Sequence, residues 1–174
     1  MIQRGERRQR RMCIRDRLTE LYIESDPPKA EELSNCVTYA GAWLDDVERE
    51  LPQVRQAKTV VGVAGTISTA VAVEIGMPGY DREQIHHFTL TREAAEDVFR
   101  TVATECREDR ACNPGLPAGR VDTIVGGMAI LVRTMRHLDL ESLLASESDI
   151  LDGAARSVQH NAMRHDAVQR SGRA

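Results

Sequence analysis

Hydrophobic positions along the chain follow two rhythms, and the switches between them mark the elements. Residues 18–23 alternate at a strand-like period, and Asp26-Pro27-Pro28 ends the run, since proline cannot extend a central strand. Leu33, Val37, Ala40, Leu44, Val47 and Leu51 then recur at steps of three and four, which predicts a helix over about 29–51 with one apolar stripe, ended by Pro52. Residues 59–63 are a short apolar run of the kind buried in a parallel sheet. A tight turn at Ala64-Gly65-Thr66 leads into a helix over about 68–75, closed by Gly76-Met-Pro-Gly79. Residues 84–90 read as a strand. Thr91 suits an N-cap, and Glu93 in the first turn suits the helix dipole. The helix that follows buries Ala94, Ala95, Val98, Phe99, Val102 and Cys106. Residues 107–119 form a polar loop. A helix over about 121–138 is apolar on nearly every side and is therefore expected in the core. A strand at 141–146 and a helix over about 149–160 complete the pattern, with Ser148 as a natural N-cap. Strands alternating with helices predict an α/β fold.

Composition narrows this picture. The 174 residues suit one domain, or one domain with part of another. Aromatics make up 3%, so the core is aliphatic. No apolar run approaches the roughly 18 residues of a membrane span, and the basic start is not followed by the apolar stretch of a signal peptide. The cysteines, Cys13, Cys36, Cys106 and Cys112, form no CxxC pair and no zinc spacing, which fits free thiols in a reducing cytoplasm. Net charge is −4, yet residues 1–17 hold seven arginines against Glu6 and Asp16. Such an arm could bind nucleic acid, but it has no aromatic to stack on a base. Met12-Cys-Ile-Arg-Asp-Arg17 resembles a peptide translated from adapter sequence at the edge of an assembled read. Residues 1–16 are therefore expected to be non-native or disordered, residues 17–160 to fold, and residues 161–174 to be a polar tail.

Three segments could carry chemistry. Val61-Gly-Val-Ala-Gly-Thr-Ile-Ser-Thr69 runs from strand through a glycine turn into a helix start. Glycine lets a ligand approach the backbone, helix-start N–H groups are unpaired, and Thr66, Ser68 and Thr69 add hydroxyls. Together these make a phosphate cradle or, alternatively, an ordinary βα turn; no Walker signature is present. Gly126-Gly127 inside the buried helix indicates close passage of a ligand or of another element. At the start of that helix, Arg120 could hold an anion bidentately, or Arg120 and Asp122 could form structural ion pairs with each other or with neighbours. Ser146-Glu-Ser-Asp-Ile-Leu-Asp-Gly153 reads first as a strand-to-helix junction. His86 and His87, on a strand, would point to opposite faces and not share a metal.

These segments, in this order, resemble the exopolyphosphatase / guanosine pentaphosphate phosphohydrolase (Ppx/GppA) family. Ala64-Gly-Thr-Ile-Ser-Thr69 stands for the family's Ala-Gly-Thr-x-Thr-Thr, with Ser68 in place of Thr. Tyr80-Asp81 follows, then His86 to Thr91, then Arg120-Val-Asp-Thr-Ile-Val-Gly-Gly127, and finally Ser146 to Gly153. Arg17-Leu-Thr-Glu20 with Asp26-Pro27 is similar to the stretch after the family's second glycine-rich phosphate loop. The resemblance implies an RNase-H-like second lobe of the actin/hexokinase/heat-shock ATPase superfamily, with the N-terminal lobe missing. It implies hydrolysis of the terminal phosphate of inorganic polyphosphate, or of guanosine pentaphosphate, with magnesium. The implied phosphate or substrate contacts are Gly65, Thr66, Ser68, Thr69, Arg120, Gly126 and Gly127. No catalytic residue and no metal ligand is assigned in this chain, because the family's catalytic Glu and its two N-terminal phosphate loops are absent from the sequence. The expected setting is cytoplasmic, without membrane or nucleic acid; a homodimer is compatible with it. Alternatives are a non-catalytic phosphate- or nucleotide-binding module and a sugar- or acid-kinase relative of the same fold.

Overall fold

The computed structural model describes residues 13–148 and 150–159. The expected basic segment up to residue 12 and the tail over 161–174 lie outside the described residues. The elements in chain order are α1 (Ile14–Tyr22), α2 (Ala30–Glu50), β1 (Val61–Val63), α3 (Gly65–Glu74), α4 (Arg82–Ile85), β2 (Thr89–Thr91), α5 (Arg92–Thr104), α6 (Arg107–Arg110), α7 (Ile124–His137) and β3 (Ser142–Ser146). A last helix, α8, covers 150–159. The result is α/β, as the alternation predicts.

β3 is the middle strand of a three-stranded sheet. β1 runs parallel to it, with Val61 opposite Leu144 and Val63 opposite Ser146. β2 runs antiparallel on its other side, with Thr91 opposite Ser142. Residues 59–63 therefore do not make a fully buried strand. β1 is an edge, and Val61 and Val63 stay 52% and 50% exposed.

α7 organises the rest. Ile124, Val125, Met128, Leu131, Val132 and Met135 join the main core with α3, α5 and the sheet. On another side, Ala129 packs with Leu18 of α1 and Cys36 of α2. A helix apolar all round has neighbours all round, as expected.

Four expectations are corrected. Residues 18–22 belong to α1 and not to a strand, and Ile23 is the residue that ends the helix. The helix also takes in Ile14, Arg15 and Asp16, ahead of the expected start at residue 17. Six residues satisfy either period, and packing against α7 decides: a Cβ on Gly126 would lie 2.5 Å from Thr19 Oγ1 and 3.1 Å from the Arg15 carbonyl. The α2 stripe also stops early. Cys36, Ala40 and Gly41 are buried, but Val47 and Leu51 are exposed, where α7 reaches its last residue beside α2. His137 is the last residue of α7, and its ring meets Glu48 at 3.0 Å. Residues 84–90 split into α4 and a strand of only three residues. Asp81 caps α4 by accepting the Glu83 N–H at 2.9 Å, and His87 has φ 70°, which breaks extended backbone. His86 and His87 accordingly do not face apart; their rings stack at 3.8 Å.

The polar loop over 107–119 contains α6 and one buried cation. Arg110 is 4% exposed. Its Nε donates to the Val102 carbonyl (2.7 Å), its Nη1 to that of Val121 (3.2 Å) and its Nη2 to that of Glu105 (2.7 Å), with Asp26 Oδ1 at 3.4 Å. A buried charge needs such satisfaction, and here it ties the end of α5 to the approach to α7. The four cysteines are unpaired. Among the described residues, no helix is long and apolar enough to cross a membrane.

Candidate functional site

The chain leaves β1 and turns at Ala64, whose φ of 70° and ψ of −180° belong to a region that suits glycine and strains alanine. The Ala64 carbonyl accepts the N–H groups of Ile67 (3.1 Å) and Ser68 (3.2 Å) and the Ser68 hydroxyl (3.3 Å), which closes the first turn of α3. The leading N–H groups of a helix have no acceptor within it, and the positive end of its dipole sits there. Ser68 and Thr69 are buried, and Ala70, Val71 and Ala72 root the helix in the core.

Arg120 reaches this turn from a 3-10 turn at Ala118–Arg120. Its Nη1 donates to the Gly65 carbonyl and to Thr69 Oγ1. A Cβ on Gly65 would lie 2.6 Å from Arg120 Cζ. The close approach that requires glycine here is thus made by a guanidinium of the same chain. Burial, and then the neighbouring Arg15, hold the Arg120 pKa below its ordinary value, against smaller opposing effects of Glu147 and Tyr80. The Arg120–Asp122 pair does not form; Asp122 Oδ1 instead accepts Arg107 Nε at 2.6 Å.

A cavity of about 530 Å³ opens beside the turn. Ala64, Gly65, Ser68, Thr69 and Arg120 form one wall. Residues 77–80 with Ser146 and Glu147 form the other, and residues 115–117 close the rim. On the second wall the Tyr80 hydroxyl donates to Glu147 Oε2 at 2.5 Å. That bond, with lesser help from burial, raises the Tyr80 phenol above its usual pKa. Arg82 Nη2 donates to the Glu147 carbonyl (3.1 Å) and to Asp152 Oδ2 (3.2 Å), and the Glu147 N–H donates to His86 Nδ1 (3.2 Å).

The structure brings four of the seven expected contacts to the cavity: Gly65, Ser68, Thr69 and Arg120. Thr66, Gly126 and Gly127 lie behind that wall. A Cβ on Gly127 would meet Thr66 Oγ1 at 2.9 Å and Arg15 Cδ at 3.0 Å, so these residues serve close packing of α1, α3 and α7. Tyr80 and Glu147 are on the cavity although the sequence reading assigned them no contact. Their signal was their place in the motif order, where Glu147 read as part of a helix start.

Residues 14–161 match the model of the Ppx/GppA phosphatase family. The chain belongs to that family. It is 34% identical over 150 residues to exopolyphosphatase 2 of Mycobacterium tuberculosis (strain CDC 1551 / Oshkosh), a match covering 84% of this chain and 46% of the relative. Among solved structures it is similar to an exopolyphosphatase-like protein, with a TM-score of 0.79 at 24% identity over 85% of this chain and 49% of the other. It is also similar to the Aquifex aeolicus member of the Ppx/GppA family, with a TM-score of 0.74 at 26% identity over 85% and 47%. The chain spans about half the length of these relatives.

Magnesium is the ion that the Ppx/GppA resemblance implies, and it takes oxygen ligands, commonly one or two carboxylates with substrate phosphates. Glu147 is, among the described residues, the one carboxylate lining the cavity, and Tyr80 already engages it. Among the described residues, no group of three or more His, Cys, Asp or Glu is placed to hold a metal. A single carboxylate already engaged by a phenol, which is what the described residues offer, does not fit the oxygen-rich shell that magnesium takes.

Proposed function

We propose that this chain supplies one wall of the cleft in which a phosphohydrolase removes the terminal phosphate of inorganic polyphosphate, or of guanosine pentaphosphate. The observation that carries the reading is the meeting of Arg120 with the N-terminus of α3 on a cavity. Backbone N–H groups, the hydroxyls of Ser68 and Thr69 and one cation converge there. Such groups stabilise phosphate oxygens without being consumed. In this reading the chain is an RNase-H-like lobe of the two-lobed actin/hexokinase/heat-shock ATPase architecture. The half-exposed valines of edge strand β1 and the coverage of about half of each relative support it. The water-activating carboxylate and most magnesium ligands would come from outside these 174 residues, and the enzyme would act in the cytoplasm.

Phosphoryl hydrolysis needs groups held on both sides of the reacting phosphorus. The chain alone is therefore expected to bind short polyphosphate but to show no turnover above background. The test is phosphate release from tripolyphosphate and from long-chain polyphosphate with magnesium. Robust turnover by the purified chain would overturn the division of labour proposed here.

A further inference from the structure

We infer that Arg120 is a positioning residue of the α3 turn, in addition to being a charge on the cavity wall; the functional part of this inference rests on the phosphate reading above. Two acceptors four residues apart, the Gly65 carbonyl and Thr69 Oγ1, share the Nη1 of Arg120. One nitrogen thus spans the first turn of α3 like a staple. The turn needs one. Ala64 precedes it with φ 70° and ψ −180°, a conformation that alanine keeps only when its surroundings over-determine it. The guanidinium lies where a Cβ on Gly65 would be, so it also blocks the turn from relaxing toward its own position. Arg120 is itself fixed by what precedes and follows it. Its N–H donates to the Pro117 carbonyl at 2.8 Å, and Arg110 holds the carbonyl of the next residue, Val121, at 3.2 Å. Support thus runs from Arg110 to Val121, and from Arg120 to Gly65 and Thr69 at the first turn of α3.

The test uses the full 174-residue chain and separates the staple from the charge. Amide hydrogen exchange is measured without ligand in the wild type and in Arg120→Ala, Arg120→Lys and Gly65→Ala. Exchange at Ile67 and Ser68, whose N–H groups bond the Ala64 carbonyl, should rise roughly tenfold or more in all three variants, the factor that a hydrogen bond to a charged group is worth. Exchange at Val132 in α7 should not change, which excludes global loosening. Unchanged exchange at Ile67 and Ser68 in Arg120→Ala would overturn the inference. Tripolyphosphate affinity is then measured on the same proteins by calorimetry. Gly65→Ala keeps the charge, and Arg120→Lys keeps it on an ammonium that ends one bond short of the Nη1 position and so does not span the two acceptors; both should still weaken binding, by about the factor seen for Arg120→Ala. Full retention of affinity in Arg120→Lys would reduce Arg120 to a charge and also overturn the inference. If the wild type does not bind tripolyphosphate, the phosphate reading falls, while the exchange comparison still decides the staple.

Discussion

The two walls of the cavity are built in different ways. The α3 wall stands on the core: Thr69 is 2% exposed, Ala70 and Val71 are sealed, and behind Thr66 the glycines of α7 admit α1. On the other wall only Met77 is sealed in the core; its outer part, the Tyr80–Glu147 pair, is held by side chains at the surface, and Tyr80 is 71% exposed. One wall is cationic and the other carries the carboxylate. The difference teaches where rigidity is kept and where change is cheap. The groups proposed to meet an anion are rooted in packed helices, whereas Tyr80 and Glu147 opposite them rest on exposed hydrogen bonds that contribute little.

The comparison can be broken most severely from behind the deep wall. Gly126→Val places side-chain atoms where α1 passes, at Thr19 and the Arg15 carbonyl. Such overpacking is expected to cost about 1–3 kcal/mol, read as a lowered denaturant midpoint, with loss of the cavity's shape as α1 shifts. A stability like that of the wild type would mean that α1 is not seated as described. A smaller effect of opposite sign is expected at the turn. Ala64→Gly relieves the positive φ, and after glycine's greater unfolded-state entropy it should leave a net gain of about 1 kcal/mol, read as a higher thermal midpoint. A loss there would show that the turn is not strained.

The smallest effect belongs to the other wall. Tyr80→Phe removes one exposed hydrogen bond and should change stability by no more than about 0.5 kcal/mol near neutral pH. Its pH dependence has a definite sign. The folded-state pKa of Tyr80 is raised, first by the bond to Glu147. The contribution is therefore complete below the ordinary tyrosine pKa of about 10 and is lost as pH rises through the folded value. Denaturation followed between neutral and strongly alkaline pH should show a slight extra loss in the wild type that Tyr80→Phe lacks. An identical profile would remove the Tyr80–Glu147 bond from the description.

Much of this architecture is legible in the sequence, where local pattern and tertiary demand agree. The 121–138 helix is apolar on all sides, and α7 is surrounded. Thr91 reads as an N-cap, and its hydroxyl accepts the Ala94 N–H at 3.1 Å. Residues 18–23 fail because six positions fit two periods, and the decision lies with two glycines more than a hundred residues later. His86 and His87 fail because alternation presumes extended backbone, which the positive φ of His87 interrupts. The site shows the same division. The Gly65 turn and Arg120 are visible as residue types, but not their contact, which crosses 55 positions. The Tyr80–Glu147 pair crosses 67 and has no local signature.

Arg110 has a consequence for how such a protein can change over generations. Its one guanidinium fixes the end of α5 and the carbonyl beside Arg120, so both ends of the intervening loop are moored. Residues 115–117, inside that loop, shape the cavity rim. Leu116 is buried, a Cβ on Gly115 would overlap the Ala72 carbonyl, and the Pro117 carbonyl holds the Arg120 N–H at 2.8 Å, so a change in this stretch is felt at the rim and at Arg120 together. Substitutions that keep the length of this stretch are thus the cheaper way to reshape the rim, with the buried Arg110 holding both of its ends.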